Sequence, residues 1–237
     1  MSFITKEKSV ALYAALVSFG TYVFIFGFRK SFTVCTFEGM TFGPIAFKTA
    51  MVISQMLGYL MAKFYGIKFI SGLEKKNRYK IIFLLTGIAW TAWLLFAIVP
   101  APYSILFLFI NGFPLGMLWG VVFSYVEGRR STDFIGAALA VSFIFSAGWV
   151  KSVGAWLMQD FNVSETWVPF CTGLVFALPL VICVWGLEKV PAPSKEDEAL
   201  RAKRIPMTGE DRKLILKQYL PGVIAFIAIY LFATIFR

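Results

Sequence analysis

The chain has 237 residues, 59% hydrophobic and only 15% charged, whereas soluble domains carry roughly 45–50% apolar residues. With a mean hydropathy of +0.75, it has more apolar surface than a soluble core can absorb, which excludes an ordinary globular protein. The net charge of +10 is therefore read by its placement along the chain, and no nucleic-acid partner is expected.

Apolar runs of about 20 residues, long enough to cross roughly 30 Å of hydrocarbon, mark seven predicted spans. The first starts near Ser9, behind Lys6 and Lys8, and stays apolar to Phe28. It then meets Arg29 and Lys30 and continues to Cys35, a length and pattern unlike a cleavable signal peptide. The second runs from Ile45 to Phe64 and the third from Ile81 to Val99. Pro100, Ala101 and Pro102 turn tightly into the fourth, Tyr103 to Tyr125, so the third and fourth form an antiparallel pair. The fifth covers Phe134 to Met158, the sixth Trp167 to Leu187 and the last Gln218 to Arg237. The expected organisation is a six-helix transmembrane bundle over 1–187, a Pro-, Lys- and Glu-rich cytoplasmic linker over 188–217, and a seventh transmembrane helix over 218–237.

Placing the N-terminus in the cytoplasm puts all but five of the 23 Lys and Arg in cytoplasmic segments, as expected in a cytoplasmic (inner) membrane. The exceptions are Arg29, Lys30, Lys48, Lys151 and Arg237. An intramembrane cation costs roughly 2.5–3.5 kcal/mol on insertion scales, and compensation is sought first among carboxylates. All 13 Asp and Glu lie in loops or at span edges, so no helix interior supplies a partner.

Two readings of these cations are open. In one they line a water-filled cavity and bind a small anionic solute, a task for which Arg is suited by its bidentate geometry. In the other, Arg29, Lys30, Lys48 and Lys151 snorkel to lipid headgroups. Helical spacing sets Tyr22 on the Arg29 face, and puts Lys48, Gln55 and Tyr59 on another face of the second span. Gly112, Gly116 and Gly120 recur every four residues in the fourth span, a packing pattern, with Asn111 beside them as a further solute contact.

There is no histidine, no buried carboxylate pair and no cysteine with a neighbouring base, so an intramembrane enzyme is not expected. Cys35, Cys171 and Cys183 read as small buried hydrophobes. No phosphate-binding glycine loop is present, and neither a cofactor nor a metal is implied.

Six spans, a basic central loop and a seventh span resemble the first half of the major facilitator superfamily and the start of its second half. The segment Gly58, Leu60, Ala62, Lys63, Gly66 and Lys68 is similar to that superfamily's signature between spans two and three, with Ala62 where an aspartate is usual. Phe28-Arg29-Lys30-Ser31-Phe32 resembles the Arg-Lys element in span one of the organophosphate:phosphate antiporters. That resemblance implies phosphate binding by Arg29, with Lys30 and Lys48 as further candidates. Those transporters also use an arginine in span seven, and Thr234 to Arg237 looks similar. Arg29 and Arg237 fall at nearly equal depth in spans one and seven, as expected of halves repeated along the membrane normal. Ser54-Gln55-Met56-Leu57-Gly58-Tyr59 and Lys63 to Lys68 also resemble an uncharacterised bacterial branch of the superfamily.

The resemblance implies an alternating-access transporter, or its N-terminal portion, for an anion such as an organophosphate or carboxylate. The alternative is a membrane subunit or half-transporter that works with a second chain in place of a missing C-terminal half.

Overall fold

A computed structural model describes residues 3–71, 77–194, 196–197 and 209–235. Helix α1 (Phe3–Lys30) passes into a short 3-10 turn (Ser31–Val34), followed by a two-stranded hairpin, β1 (Thr41–Phe42) and β2 (Ile45–Ala46). Five helices follow: α2 (Phe47–Ser71), α3 (Arg78–Ile98), α4 (Ile105–Phe123), α5 (Thr132–Asp160) and α6 (Val168–Glu188). The chain divides into two compact units, Met1–Glu198 and Ala199–Arg237. The second holds α7 (Gly209–Ile235), with Pro221 inside it.

Among the described residues, five helices are long and apolar enough to cross a membrane: α1 with its 3-10 extension, α3, α4, α5 and α6. The chain is an all-α, multi-pass membrane protein. Against seven expected spans, α2 falls outside this set because Lys48, Gln55 and Lys63 dilute its hydropathy. The described apolar stretch of α7, Lys217–Ile229, is shorter.

The boundaries bring two further corrections. Helix α2 runs well past Phe64, so Lys63 and the signature-like segment from Gly58 to Lys68 lie inside a helix rather than in a connection. The predicted linker over 188–217 is also structured at both ends. Helix α7 already begins at Gly209. At the other end, Ser194 and Asp197 exchange hydrogen bonds in a reciprocal capping box, and Asp197 also accepts from the Arg130 N–H. Arg129 donates to the Pro191 carbonyl.

Within the first unit, α4 packs between α2 and α3, α1 packs between α5 and α6, and α3 meets α6. Exchanging the first three helices for the last three maps each of these contacts onto another in the set. The expected α3–α4 pair is present, joined through Pro100 and Pro102. On α6, Trp167 and Trp185 bracket about 27 Å of helix, the thickness of a bilayer core. Trp185 is exposed, with the Lys189 ammonium 3.2 Å from its ring centre, as suits an interfacial anchor.

The α2–α4 seam explains the glycine pattern. A Cβ on Gly58 would strike the Phe109 carbonyl, and one on Gly112 would strike the Gln55 carbonyl. Gly116 rests on Ala62 in the same seam. Small residues on both helices let the backbones touch, which sets Gln55 beside Asn111.

Candidate functional site

The α-helical part of α1 stops at Lys30, where a 3-10 turn begins. The last carbonyls of any α-helix have no partner within it, and here they are buried among neighbouring helices. Side chains from three helices satisfy them. Trp93 of α3 donates its indole N–H to the Phe28 carbonyl at 2.5 Å, and the Asn111 amide of α4 donates to the same oxygen at 3.0 Å. Gln55 of α2 donates to the Arg29 carbonyl at 2.8 Å and to the Asn111 side-chain oxygen at 2.8 Å. Asn111 also reaches the Ala89 carbonyl at 2.9 Å. Gln55 is 2% exposed and Asn111 0%, so both amides are committed to holding this helix end.

Gln55 lies eight residues below the start of α2, and Asn111 six below the start of α4, about 9–12 Å along each axis. The knot therefore sits about two turns in from the end of each helix. Arg29 projects from it over the Tyr59 ring, with its guanidinium carbon 4.2 Å from the ring centre. Lys63, one turn further along α2, folds back so that its ammonium lies 4.6 Å from the same centre. That direction follows from helical side chains leaning toward the N-terminus. The Lys30 ammonium is 5.7 Å from the Phe32 ring. The Arg29 Nε is shielded and makes no hydrogen bond. Tyr22 is buried two turns earlier on α1, edge-on to Phe143 of α5 at 4.8 Å.

These contacts bring Arg29, Tyr59 and Lys63 together, with Lys30 adjacent in the chain. Every described Asp and Glu lies in a connection or within two turns of a helix end, so no carboxylate from a helix interior joins them. The spacing of Tyr59 and Lys63, four residues apart on a helix, is the signal that could have revealed Lys63. It was obscured by taking Lys63 for the start of a loop.

Lys48 lies elsewhere. Its ammonium donates to the Thr33 and Cys35 carbonyls at 3.0 and 2.6 Å, fastening the chain that leaves the 3-10 turn. Beside it, Glu165 from the α5–α6 connection accepts from the Thr36 N–H at 2.7 Å, the Thr36 hydroxyl at 3.0 Å and the Phe37 N–H at 2.8 Å. Burial alone would raise the Glu165 pKa, but these donors and the nearby Lys48 charge outweigh it and hold the carboxyl below its ordinary range. Lys151 is exposed on α5 and takes no part in the contacts around Tyr59. Arg237 lies outside the described residues.

At the other end of the bundle, Arg78 donates to the Ser124 carbonyl at 2.8 Å and stacks 5.3 Å from the Tyr125 ring, whose hydroxyl donates to Glu188. Burial, reinforced by the hydrogen bond to Glu188 and its negative charge, raises the Tyr125 pKa. This cluster pins the start of α3 to the ends of α4 and α6.

No curated protein and no solved structure matches the chain. A family of unknown function, DUF5690, matches residues 31–237, a stretch that begins just after Lys30 and includes Lys48, Gln55, Tyr59, Lys63, Asn111 and Lys151. With most of its length matched, the chain belongs to the DUF5690 family.

Proposed function

We propose that the chain is a transporter, or the N-terminal part of one, moving a small anionic solute such as an organophosphate or carboxylate by alternating access. The observation that carries this reading is the meeting of Arg29 and Lys63 at the Tyr59 ring, with Lys30 next to Arg29 in the chain and no interior carboxylate among the described residues. A half-buried arginine with no described carboxylate partner is suited to an incoming anion, for which Arg29 offers a bidentate fork and the exposed Lys63 a point charge. Lys30, Tyr22 and Lys151 remain solute contacts in this proposal. Gln55, Asn111 and Lys48 act one step back, since their donors hold the backbone that carries Arg29 and Lys30.

A major-facilitator-type arrangement, six helices plus a seventh, is part of the same proposal. It is supported by the most extensive contacts of α1–α6, those of α4 with α2 and α3 and of α1 with α5 and α6, which interchange when the two triplets are exchanged, as expected of inverted three-helix repeats nested within one half. The test is uptake of radiolabelled phosphate, glycerol phosphate and a dicarboxylate by proteoliposomes of the full-length protein. Arg29→Gln and Lys63→Gln, each checked for an unchanged melting profile, are expected to abolish or strongly reduce uptake of the transported anion. Full uptake by Arg29→Gln would remove the central claim.

A further inference from the structure

Away from the Arg29 cluster, a groove of about 460 Å³ runs along α3. Leu84, Ile88, Leu95 and Ile110 wall it, and Gly87 and Thr91 form its floor. A Cβ on Gly87 would meet nothing within 4 Å, so the floor is open. Thr91 is the one polar side chain in the lining, and its hydroxyl donates to the Gly87 carbonyl at 2.9 Å. The groove thus offers no free hydrogen-bond donor and a single hydroxyl acceptor, so a polar solute gains little by entering it. It lies within a helix long and apolar enough to cross the membrane, at a depth where hydrocarbon surrounds the chain.

A lysine lies one turn before the groove on the same helix face. Lys80, Leu84, Gly87, Thr91 and Leu95 recur at three- and four-residue intervals and so share one face of α3. Lys80 is exposed in the first turn, 5.9 Å from the Tyr79 ring centre, and no described carboxylate pairs with it. Its side chain leans toward the helix start, and so toward the headgroup layer. From Leu84 to Leu95 the axis covers about 16 Å, close to the ~15 Å hydrocarbon depth of a single leaflet. We propose that this groove holds one acyl chain of an anionic phospholipid, from the leaflet on the side where α3 begins, with the lipid phosphate on Lys80. Length, polarity and charge all fit that occupant.

The test uses the full-length protein, delipidated in mild detergent and titrated with phosphatidylglycerol or phosphatidylcholine, with native mass spectrometry and melting temperature as readouts. Wild type is expected to retain one phosphatidylglycerol and to be stabilised more by it than by phosphatidylcholine. Lys80→Gln should weaken phosphatidylglycerol binding about fivefold and leave phosphatidylcholine unchanged. Gly87→Trp should lose both, while Gly87→Ala, whose added methyl meets open space, serves as the folded control and keeps both. Wild-type lipid retention by Gly87→Trp would overturn the proposal, as would an unchanged lipid preference in Lys80→Gln. A change of oligomeric mass in Gly87→Trp without lipid loss would assign the groove to a protein helix instead, and overturn it too.

Discussion

Replacing Asn111 with Leu tests whether side chains from neighbouring helices hold the end of α1. The swap keeps the branched four-atom side chain, so it leaves no cavity, and because methyl groups need more room than the amide any overpacking adds to the polar loss. Asn111 is fully buried and makes three contacts: it accepts from Gln55 and donates to the Phe28 and Ala89 carbonyls. Interhelical side-chain hydrogen bonds in membranes average about 0.6 kcal/mol, with a ceiling near 1.7. Three such bonds give about 2 kcal/mol, with an upper bound of about 5 kcal/mol. The Phe28 carbonyl keeps Trp93 and the Gln55 amide keeps the Arg29 carbonyl, so neither partner is orphaned and the loss stays near the lower figure. Equilibrium unfolding in mixed micelles by SDS titration measures it directly. Gln55→Leu and the double variant complete a cycle, whose expected coupling is about 0.6 kcal/mol. Stability of Asn111→Leu within about 0.5 kcal/mol of wild type, the usual range of a surface change, would refute the knot as a stabilising feature.

Two further outcomes follow from the seam and from the Glu165 connection. Gly112→Ala drives a methyl into the Gln55 backbone and should cost about 1–3 kcal/mol in the same micellar unfolding assay, whereas Gly148→Ala, which meets open space, should be neutral or slightly stabilising. Glu165 has a lowered folded-state pKa, so its contribution is present above the unfolded carboxyl pKa and is lost as pH falls through the folded value. Melting curves taken between pH 7 and pH 3 should show that loss in wild type and a flatter profile in Glu165→Gln; identical profiles would remove Glu165 as the source.

The membrane class was legible because it rests on composition summed over many residues, which local errors do not disturb. The glycines at 112, 116 and 120 were legible as a packing face, but the sequence did not name α2 as the facing helix or Gly58 and Ala62 as the opposing contacts. Lys63 was misplaced because a lysine some 20 residues into an apolar run looks like a membrane boundary, and only the Tyr59 ring beside it shows that the helix continues. Gln55, Asn111, Lys48 and Glu165 owe their roles to partners remote in the chain, such as Gln55 to Asn111 and Glu165 to Thr36. No local pattern encodes such pairings.

What separates the anion reading from ordinary snorkelling is a comparison of magnitudes. A single cation at this depth costs roughly 2.5–3.5 kcal/mol. A favourable cation–π contact returns about 0.5–2 kcal/mol, and the negative end of a helix about 0.3–1 kcal/mol. Arg29 has both, on the Tyr59 ring and at the end of α1. Those two contributions sum to about 1–3 kcal/mol and offset only part of one cation, and the helix-end part is reduced further because Trp93, Gln55 and Asn111 already occupy the Phe28 and Arg29 carbonyls. Lys63 draws on the same ring as Arg29 rather than on a second one. Among the described residues, the ring contact of Lys30 is the rim-distance one with Phe32. Lys63 is exposed, which relieves much of its own cost, yet its ammonium turns back toward Tyr59 and so toward Arg29. Protein contacts thus leave part of the Arg29 cost and most of the Lys30 cost unmet, and in the proposed reading water or a solute carrying negative charge supplies the remainder.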